Sequence, residues 1–453
     1  MTAAETPGPS RFVVGASRLL QRAFFRSVET VGLEHVPAAG PLVVVANHVN
    51  SLVDPLLLIG ALPRPPRLLA KSTLWHRPFT RALVALGGAI PVYRRQDAGE
   101  DPARNLESLA RCRAALAAGH VIGLFPEGIS HSEPRLQDLR SGAARIVLEG
   151  EAEHGPLGVR VVPVGLVFDD RERFRSRVVV HVGAPLDPSP EIARHAADRA
   201  GAVRALTLRI GAALRDVTLN FASWERARLV ARAGELLAAG EGSDAPGRPD
   251  LAPHAELLAA IETGAASLAR ELPDRVAAVA AAVRRYDRLL RVLRLRDDQV
   301  AARYPARVVA SFVARTLANL LVLAPLAALG ALLSWLPYRT TGAIVDARRL
   351  PEDVRATHKL FLGAVLLAVA WLAEAVVAWA LGGPWAAAAL LVAAPPASWA
   401  ALRFDERRLQ LLEEARAWLL LRARPGVAGE LRARRAVVLA ALEELAQEWR
   451  RRH

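Results

Sequence analysis

Residues 41–58 read PLVVVANHVNSLVDPLLL, and the rest of the chain is organised around this stretch. Leu42 to Ala46 are apolar and largely β-branched, the composition of a strand buried on both faces. A second apolar run resumes near Leu52, with Asp54 in what reads as the first turn of a helix. A buried strand that passes through Asn47 and His48 into a helix forms the kind of corner where open α/β sheets hold their chemistry. Side chains six positions apart on one straight helix are rotated by about 240° and cannot meet. At a strand-to-helix corner, His48 and Asp54 can. Imidazole changes charge near neutral pH, so a histidine oriented by a carboxylate suits removal of a proton from a hydroxyl. The competing explanation is a loop histidine followed by an acid that the macrodipole favours at a helix N-terminus.

Outward from this corner, short β-rich runs alternate with helical ones as far as about Pro190. VVVA is followed by a helix after Asp54, RLLAKS (67–72) by a helix through Ala85, and AIPVY (89–93) by a helix from Pro102 to Ala118. VIGLF (121–125) precedes a helix after Ser141, and VRVVPVGLVF (159–168) and VVVHVG (178–183) complete the set. The alternation predicts an α/β sheet domain. Upstream, RFVVGASRLLQRAFFRSV (11–28) sets Phe12, Leu19, Phe24 and Phe25 among arginines, which predicts one amphipathic helix lying on the core or on a membrane.

Beyond Pro190 the pattern is helical, and GEGSDAPGRPD (240–250) reads as a linker. Residues 276–295 place Val276, Val279, Val283, Leu290 and Leu293 near helical spacing, predicting a helix with one packed face. Thr316 to Tyr338 carries no charge and meets the length of about 20 residues that crosses a bilayer. Leu360 to Leu402 is interrupted only by Glu374, and Gly382-Gly383-Pro384 signals a turn that divides it, giving two or three membrane helices. Two amphipathic helices separated by Arg424-Pro425-Gly426 follow. The expected divisions are 1–220, a catalytic domain with its N-terminal helix; 221–308, a helical linker region; 309–402, the membrane region; and 403–453, the C-terminal helices.

Composition narrows the partners. Of 453 residues, 52% are hydrophobic, concentrated toward the C-terminal half, which points to membrane contact. The first residues, MTAAETPGPS, lack the order of a cleaved leader, so the expectation is a multi-pass membrane protein with a cytoplasmic catalytic half. Cys112 is the only cysteine, which excludes an intrachain disulfide and argues against a thiolate metal site. The formal charge of +14 rests almost wholly on arginine, since Lys71 and Lys359 are the only lysines. Such a surface suits anionic lipid headgroups or an acidic carrier protein. Zinc-finger spacing and aromatic-basic interleaving are missing, so nucleic acid is not expected.

A second loop, also at a strand end, can face the first. Gly123-Leu124-Phe125-Pro126-Glu127-Gly128-Ile129-Ser130 again runs a buried strand into a glycine-containing loop, in which Glu127 could hold a hydroxyl or a cation. Lys71 follows the LLA run and Arg94-Arg95 follow AIPVY. Cations at strand ends are good phosphate ligands.

In this order, Asn47-His48 with Asp54, Gly88 to Arg94, Phe125 to Ser130 and the strand Val162-Pro163-Val164 resemble the four motif blocks of the glycerolipid acyltransferases. Val31-Gly32-Leu33-Glu34 before the first block and Leu139 to Arg145 after the third extend the likeness over roughly residues 28–190. Five residues separate His48 from Asp54, one more than the commonest family spacing, which resembles the glycerol-3-phosphate and dihydroxyacetone-phosphate acyltransferase branch. The resemblance implies an α/β fold with a mixed sheet flanked by helices, followed by helical and transmembrane regions. It implies that His48, oriented by Asp54, deprotonates the acceptor hydroxyl as this attacks an acyl-CoA or acyl-carrier-protein thioester. Lys71 and Arg94 then hold the acceptor phosphate, Glu127, Gly128 and Ser130 shape the acceptor site, and neither a metal nor a cofactor beyond the donor is needed. The sn-1 hydroxyl of glycerol 3-phosphate or dihydroxyacetone phosphate is the expected acceptor. Lysophosphatidate acylation is the alternative, and a non-catalytic membrane adaptor is the reading from another class.

Overall fold

The computed structural model describes residues 8–76, 78–93, 104–239, 250–302 and 305–452. The chain divides into two compact units, Met1–Asn220 with Leu350–Thr357, and Phe221–Arg349 with His358–His453.

Among the described residues, the first unit is built on seven strands: β1 (Ser27–Val31), β2 (Leu42–Ala46), β3 (Arg67–Lys71), β4 (Ile90–Val92), β5 (Val121–Leu124), β6 (Arg160–Phe168) and β7 (Arg177–Val182). Their order is β1-β7-β6-β2-β5-β3-β4. The sheet is mixed: β6, β2, β5, β3 and β4 run parallel, whereas β7 is antiparallel to β6 and carries β1 parallel to itself. The C-terminal ends of β2, β5, β3 and β4 therefore share one edge, where the sequence placed its candidate residues.

Among the described residues, seven α-helices accompany the sheet: α1 (Arg11–Phe24), α2 (Val53–Ala61), α3 (Pro78–Leu86), α4 (Asn105–Ala117), α5 (Gly142–His154), α6 (Ser189–His195) and α7 (Arg199–Asp216). Val43, Val45, Ile122 and Val161 of the central strands meet Cys112, Leu116, Ile146, Leu206 and Ile210 in one buried cluster. Alternation along a strand turns Leu42 and Val44 to the other face, and they too are fully buried. Burial pushes the Cys112 thiol up to about 12, against the pull of Arg67 and Arg113, so it is a core residue rather than a nucleophile.

The N-terminal segment departs from its expected form. The helix ends at Phe24, and Ser27–Val31 leaves it as an edge strand paired with β7 from Ser27↔Arg177 to Val31↔His181. Phe24 packs edge-on against Phe25 and Phe174 at 5.0 and 5.5 Å, which fixes the point where helix gives way to strand. α1 lies against α2 through Gln21, whose Nε2 donates to Leu56 O at 2.6 Å, and through Arg18, whose Nε donates to Gly60 O at 2.9 Å. Phe12 and Leu19 remain exposed.

The second unit is helical. It contains α8 (Trp224–Ala238), α9 (Leu251–Glu271), α10 (Pro273–Leu293), α11 (Asp297–Ala301), α12 (Ala306–Ala347), α13 (Glu352–Ala423), whose first residues belong to the first unit, and α14 (Pro425–Arg452). The segment expected at 276–295 is α10, and its face of Val283, Tyr286 and Leu290 packs with Leu236, Leu421, Leu431 and Val438. Within this bundle Arg435 Nε meets both oxygens of Asp297 at 3.1 Å, and Tyr286 donates to the same carboxylate at 2.8 Å. Burial raises the Asp297 pKa, with Arg435 opposing.

Among the described residues, two helices, Arg307–Ala347 and Glu352–Ala423, are long and apolar enough to cross a membrane. Gly383, at φ 78°, is non-helical and divides α13 into two helices, at the turn signal of the sequence. α12 and α13 approach closely at Gly330, where an added Cβ would lie 1.9 Å from Ala397 O, and Ser334 and Ser398 hydroxyls bond beside it. Leu321, Val322, Leu332, Leu381 and Trp385 expose large apolar surface on these helices. Most of the segment expected as a linker, residues 240–249, lies outside the described residues.

Candidate active site

β2 sits at the middle of the sheet between β5 and β6, so its five residues are wholly buried and its end is held from both sides. The next residue, Asn47, continues the pairing with its side chain: Nδ2 donates to Leu166 O at 3.1 Å and Oδ1 accepts from Leu166 N at 2.7 Å. This amide stands in for one more rung of the ladder and delivers His48 at a fixed height above the sheet edge.

The turn that follows brings His48 and Asp54 together. Asp54 Oδ2 accepts from His48 Nδ1 at 2.9 Å, from Val49 N at 2.8 Å and from Asn50 N at 2.7 Å. The carboxylate is fully buried in the first turn of α2, and it binds the corner as well as the ring. Ser51 takes up the additional residue in the spacing by adopting a left-handed backbone, φ 40°, a conformation unfavourable for a residue with a Cβ. With Nδ1 on the carboxylate, Nε2 is the nitrogen left to act on a substrate. The ring itself lies on Phe125, 4.1 Å between centroids and 14° from parallel.

Phe125 belongs to the loop after β5, the strand beside β2. Glu127 on this loop is buried, and both of its oxygens are engaged. Oε1 accepts from His48 N at 2.8 Å, while Oε2 accepts from Gln137 N at 2.7 Å and meets His131 Nε2 at 2.5 Å. Its carboxylate therefore ties two loops together behind the histidine, instead of standing open to a ligand as the sequence suggested. Gly128 has φ 79°, a backbone conformation that favours glycine, and a Cβ there would also displace the Arg140 side chain, 2.6 Å away at Nε. The Ser130 hydroxyl donates to Asp353 Oδ2.

Lys71 closes β3 and is exposed. Since β3 lies two strands from β2, strand spacing alone sets its backbone about 10 Å from the histidine strand. Arg94 lies outside the described residues; β4, the strand that leads toward it, ends at Val92 beside Lys71.

Several participants carried no sequence signal. Arg171 donates to His131 O at 3.5 Å and Ser132 O at 3.3 Å, and its own carbonyl accepts from Asn50 Nδ2 at 3.0 Å. Burial lowers its pKa, while Glu352, Asp54, Glu172 and Asp353 act to raise it. Leu350–Thr357, remote in sequence, belongs to the same unit. His131, four residues after Glu127, was legible as a histidine at helical distance from an acid, but nothing in its neighbours suggested a buried contact.

The arrangement places an imidazole held by a buried carboxylate at a sheet edge that also carries Lys71. The family model described as Acyltransferase matches residues 27–167. The chain is 27% identical over 288 residues to an uncharacterized acyltransferase of Schizosaccharomyces pombe, covering 45% of this chain and 43% of that protein. It is 33% identical over 118 residues to glycerol-3-phosphate O-acyltransferase 1 of Saccharomyces cerevisiae, covering 25% and 16%. A 1-acyl-sn-glycerol-3-phosphate acyltransferase of Chlamydomonas reinhardtii is 29% identical over 144 residues, covering 32% and 39%. The matches span less than half the length of each of these relatives.

Proposed function

We propose that this chain, whose residues 27–167 match the Acyltransferase family model, is a membrane-bound O-acyltransferase of glycerolipid synthesis. It transfers a fatty acyl group from acyl-CoA or acyl-carrier protein to the sn-1 hydroxyl of glycerol 3-phosphate or dihydroxyacetone phosphate.

His48 is the observation that carries this reading: its Nδ1 is fixed on buried Asp54 at 2.9 Å, which leaves Nε2 at the sheet edge. Nε2 takes the proton of the acceptor hydroxyl as the oxygen attacks the thioester carbonyl. The C–S bond breaks on collapse of the tetrahedral intermediate, and the departing thiolate recovers the proton from the imidazolium. Asp54 stabilises that imidazolium without leaving its corner. The acyl group does not rest on the protein in this scheme, and no metal enters it.

Lys71 and Arg94 hold the acceptor phosphate, Lys71 as a point charge and Arg94 through a bidentate fork. Glu127 and Gly128 shape the acceptor side by fixing the loop that carries Ser130. The membrane assignment is supported by α12 and α13, and it fits the chemistry because the product carries an acyl chain and prefers the bilayer. On this reading the chain is multi-pass with its sheet unit on the cytoplasmic side.

The test is an acceptor comparison. Membranes containing the full chain, and a His48→Ala control, are given labelled acyl-CoA or acyl-carrier protein with each of glycerol 3-phosphate, dihydroxyacetone phosphate and lysophosphatidate. Turnover of either of the first two, lost in the His48→Ala chain, is the expected result. Turnover of lysophosphatidate alone overturns the acceptor assignment, and full activity in His48→Ala overturns the assigned base.

A further inference from the structure

The corner that holds His48 contains a strained residue, and one hydroxyl from about 300 positions further along the chain spans it. Thr357 Oγ1 accepts from Leu52 N at 3.1 Å and donates to Asn50 O at 3.5 Å, the two backbone groups that flank left-handed Ser51. Thr357 is buried, as is Asn50. Two neighbours on the same segment reach the other loops around the histidine. Asp353 accepts from Ser130 in the loop after β5, and Arg355 Nη1 binds Glu172 Oε2 at 2.9 Å in the loop after β6. Arg355 also donates from Nε to Leu350 O at 2.8 Å, which folds the segment on itself. Leu350–Thr357 thus touches the His48 corner and the loops after β5 and β6, and the helix that begins in it is one of the two long apolar helices.

We infer that Thr357 is a positioning residue for the proposed acyl transfer: it latches the Asn50–Leu52 turn and so holds Asp54 and His48 in register. A left-handed residue other than glycine costs about 1–3 kcal/mol and persists only where its surroundings over-determine it. Asn50 N is already bound to Asp54, and Val53 N returns to Asn50 O at 2.9 Å. The Leu52 amide has Thr357 as its acceptor, and without it the turn can relax to a conformation in which Asp54 no longer faces the ring. Asp353 and Arg355 serve the same segment by seating it on the neighbouring loops.

This inference rests on the acyl-transfer reading only for its kinetic readout. The experiment uses the purified full chain in lipid nanodiscs, with Thr357→Val, which keeps the shape and removes the hydroxyl, and Thr357→Ser, which restores it. Loss of a net hydrogen bond lowers the aligned population by roughly tenfold at most. The expected result is a kcat lowered by about that factor in Thr357→Val with an acceptor KM within about twofold, and recovery in Thr357→Ser. Amide hydrogen exchange of the peptide spanning residues 47–53 reports the latch without turnover. Leu52 exchange speeds up in Thr357→Val and stays protected in Thr357→Ser. In a Ser51→Gly background, where the left-handed backbone is free of strain, Thr357→Val costs less. Unchanged exchange at Leu52 in Thr357→Val, an equal defect in Thr357→Ser, or the same cost in both Ser51 backgrounds overturns the proposal. A wild-type chain that acylates none of the acceptors refutes the proposed function, and Leu52 exchange then decides the latch by itself.

Discussion

Replacing Asp54 with asparagine separates the electrostatic part of the dyad from its geometry. The asparagine carbonyl can still accept from Val49 N and Asn50 N, so the turn keeps its bonds, while the anion beside Nδ1 disappears. At the 2.9 Å separation of His48 Nδ1 and Asp54 Oδ2, a full imidazolium–carboxylate attraction is about 6 kcal/mol at an effective dielectric of about 20 and about 1.4 kcal/mol in water. Asp54 is fully buried and the His48 side chain is 13% exposed, which places the pair nearer the first value. With roughly half a charge developed on the ring in the transition state, the loss is about 3 kcal/mol, or about a hundredfold in kcat. The assay is release of free thiol from the acyl thioester at saturating acceptor, with thermal unfolding as a control for the fold. Acceptor KM should stay within about threefold, because the change acts on proton transfer and not on the acceptor phosphate. An Asp54→Asn chain that retained its kcat within about threefold would refute the reasoning.

Three further outcomes follow from other parts of the structure. Lys71→Ala should raise KM for a phosphate-bearing acceptor by roughly 10–100-fold, the worth of a charge-assisted bond, and Arg94→Ala should do the same; a lowered affinity for the acyl donor instead would remove both assignments. Glu127→Ala strips an acceptor from the half-buried amides His48 N and Gln137 N, at up to about 1–3 kcal/mol for each donor. A fall in the unfolding midpoint of at least about 5 °C with loss of activity is expected, and an unchanged midpoint would contradict the clamp. In the helical unit, Arg435→Met leaves Asp297 as a buried, uncompensated charge and should destabilise that unit by roughly 3–5 kcal/mol in denaturant unfolding; addition of Asp297→Asn should recover part of the loss.

Local pattern alone was enough for the α/β alternation, for the placement of His48, Lys71 and Glu127 at strand ends, for the long apolar helices and for the break at Gly383. These features depend on periodicity, β-branching and turn chemistry, all of which act between residues near in sequence. Tertiary structure decided what depends on distant partners. Ser27 and Val28 read as the tail of a helix until β7 offers Ser27–Val31 an edge to pair with. Glu127 reads as a ligand-facing acid until the backbone amides of His48 and Gln137 close on it. The five-residue interval between His48 and Asp54 is visible in the sequence, but only the left-handed Ser51 and the hydroxyl of Thr357 show how the corner closes. Hydrogen bonds between residues far apart leave no periodic trace in the chain that forms them, so the identities of the chemical groups were legible from the sequence, and the bonds that orient them were not.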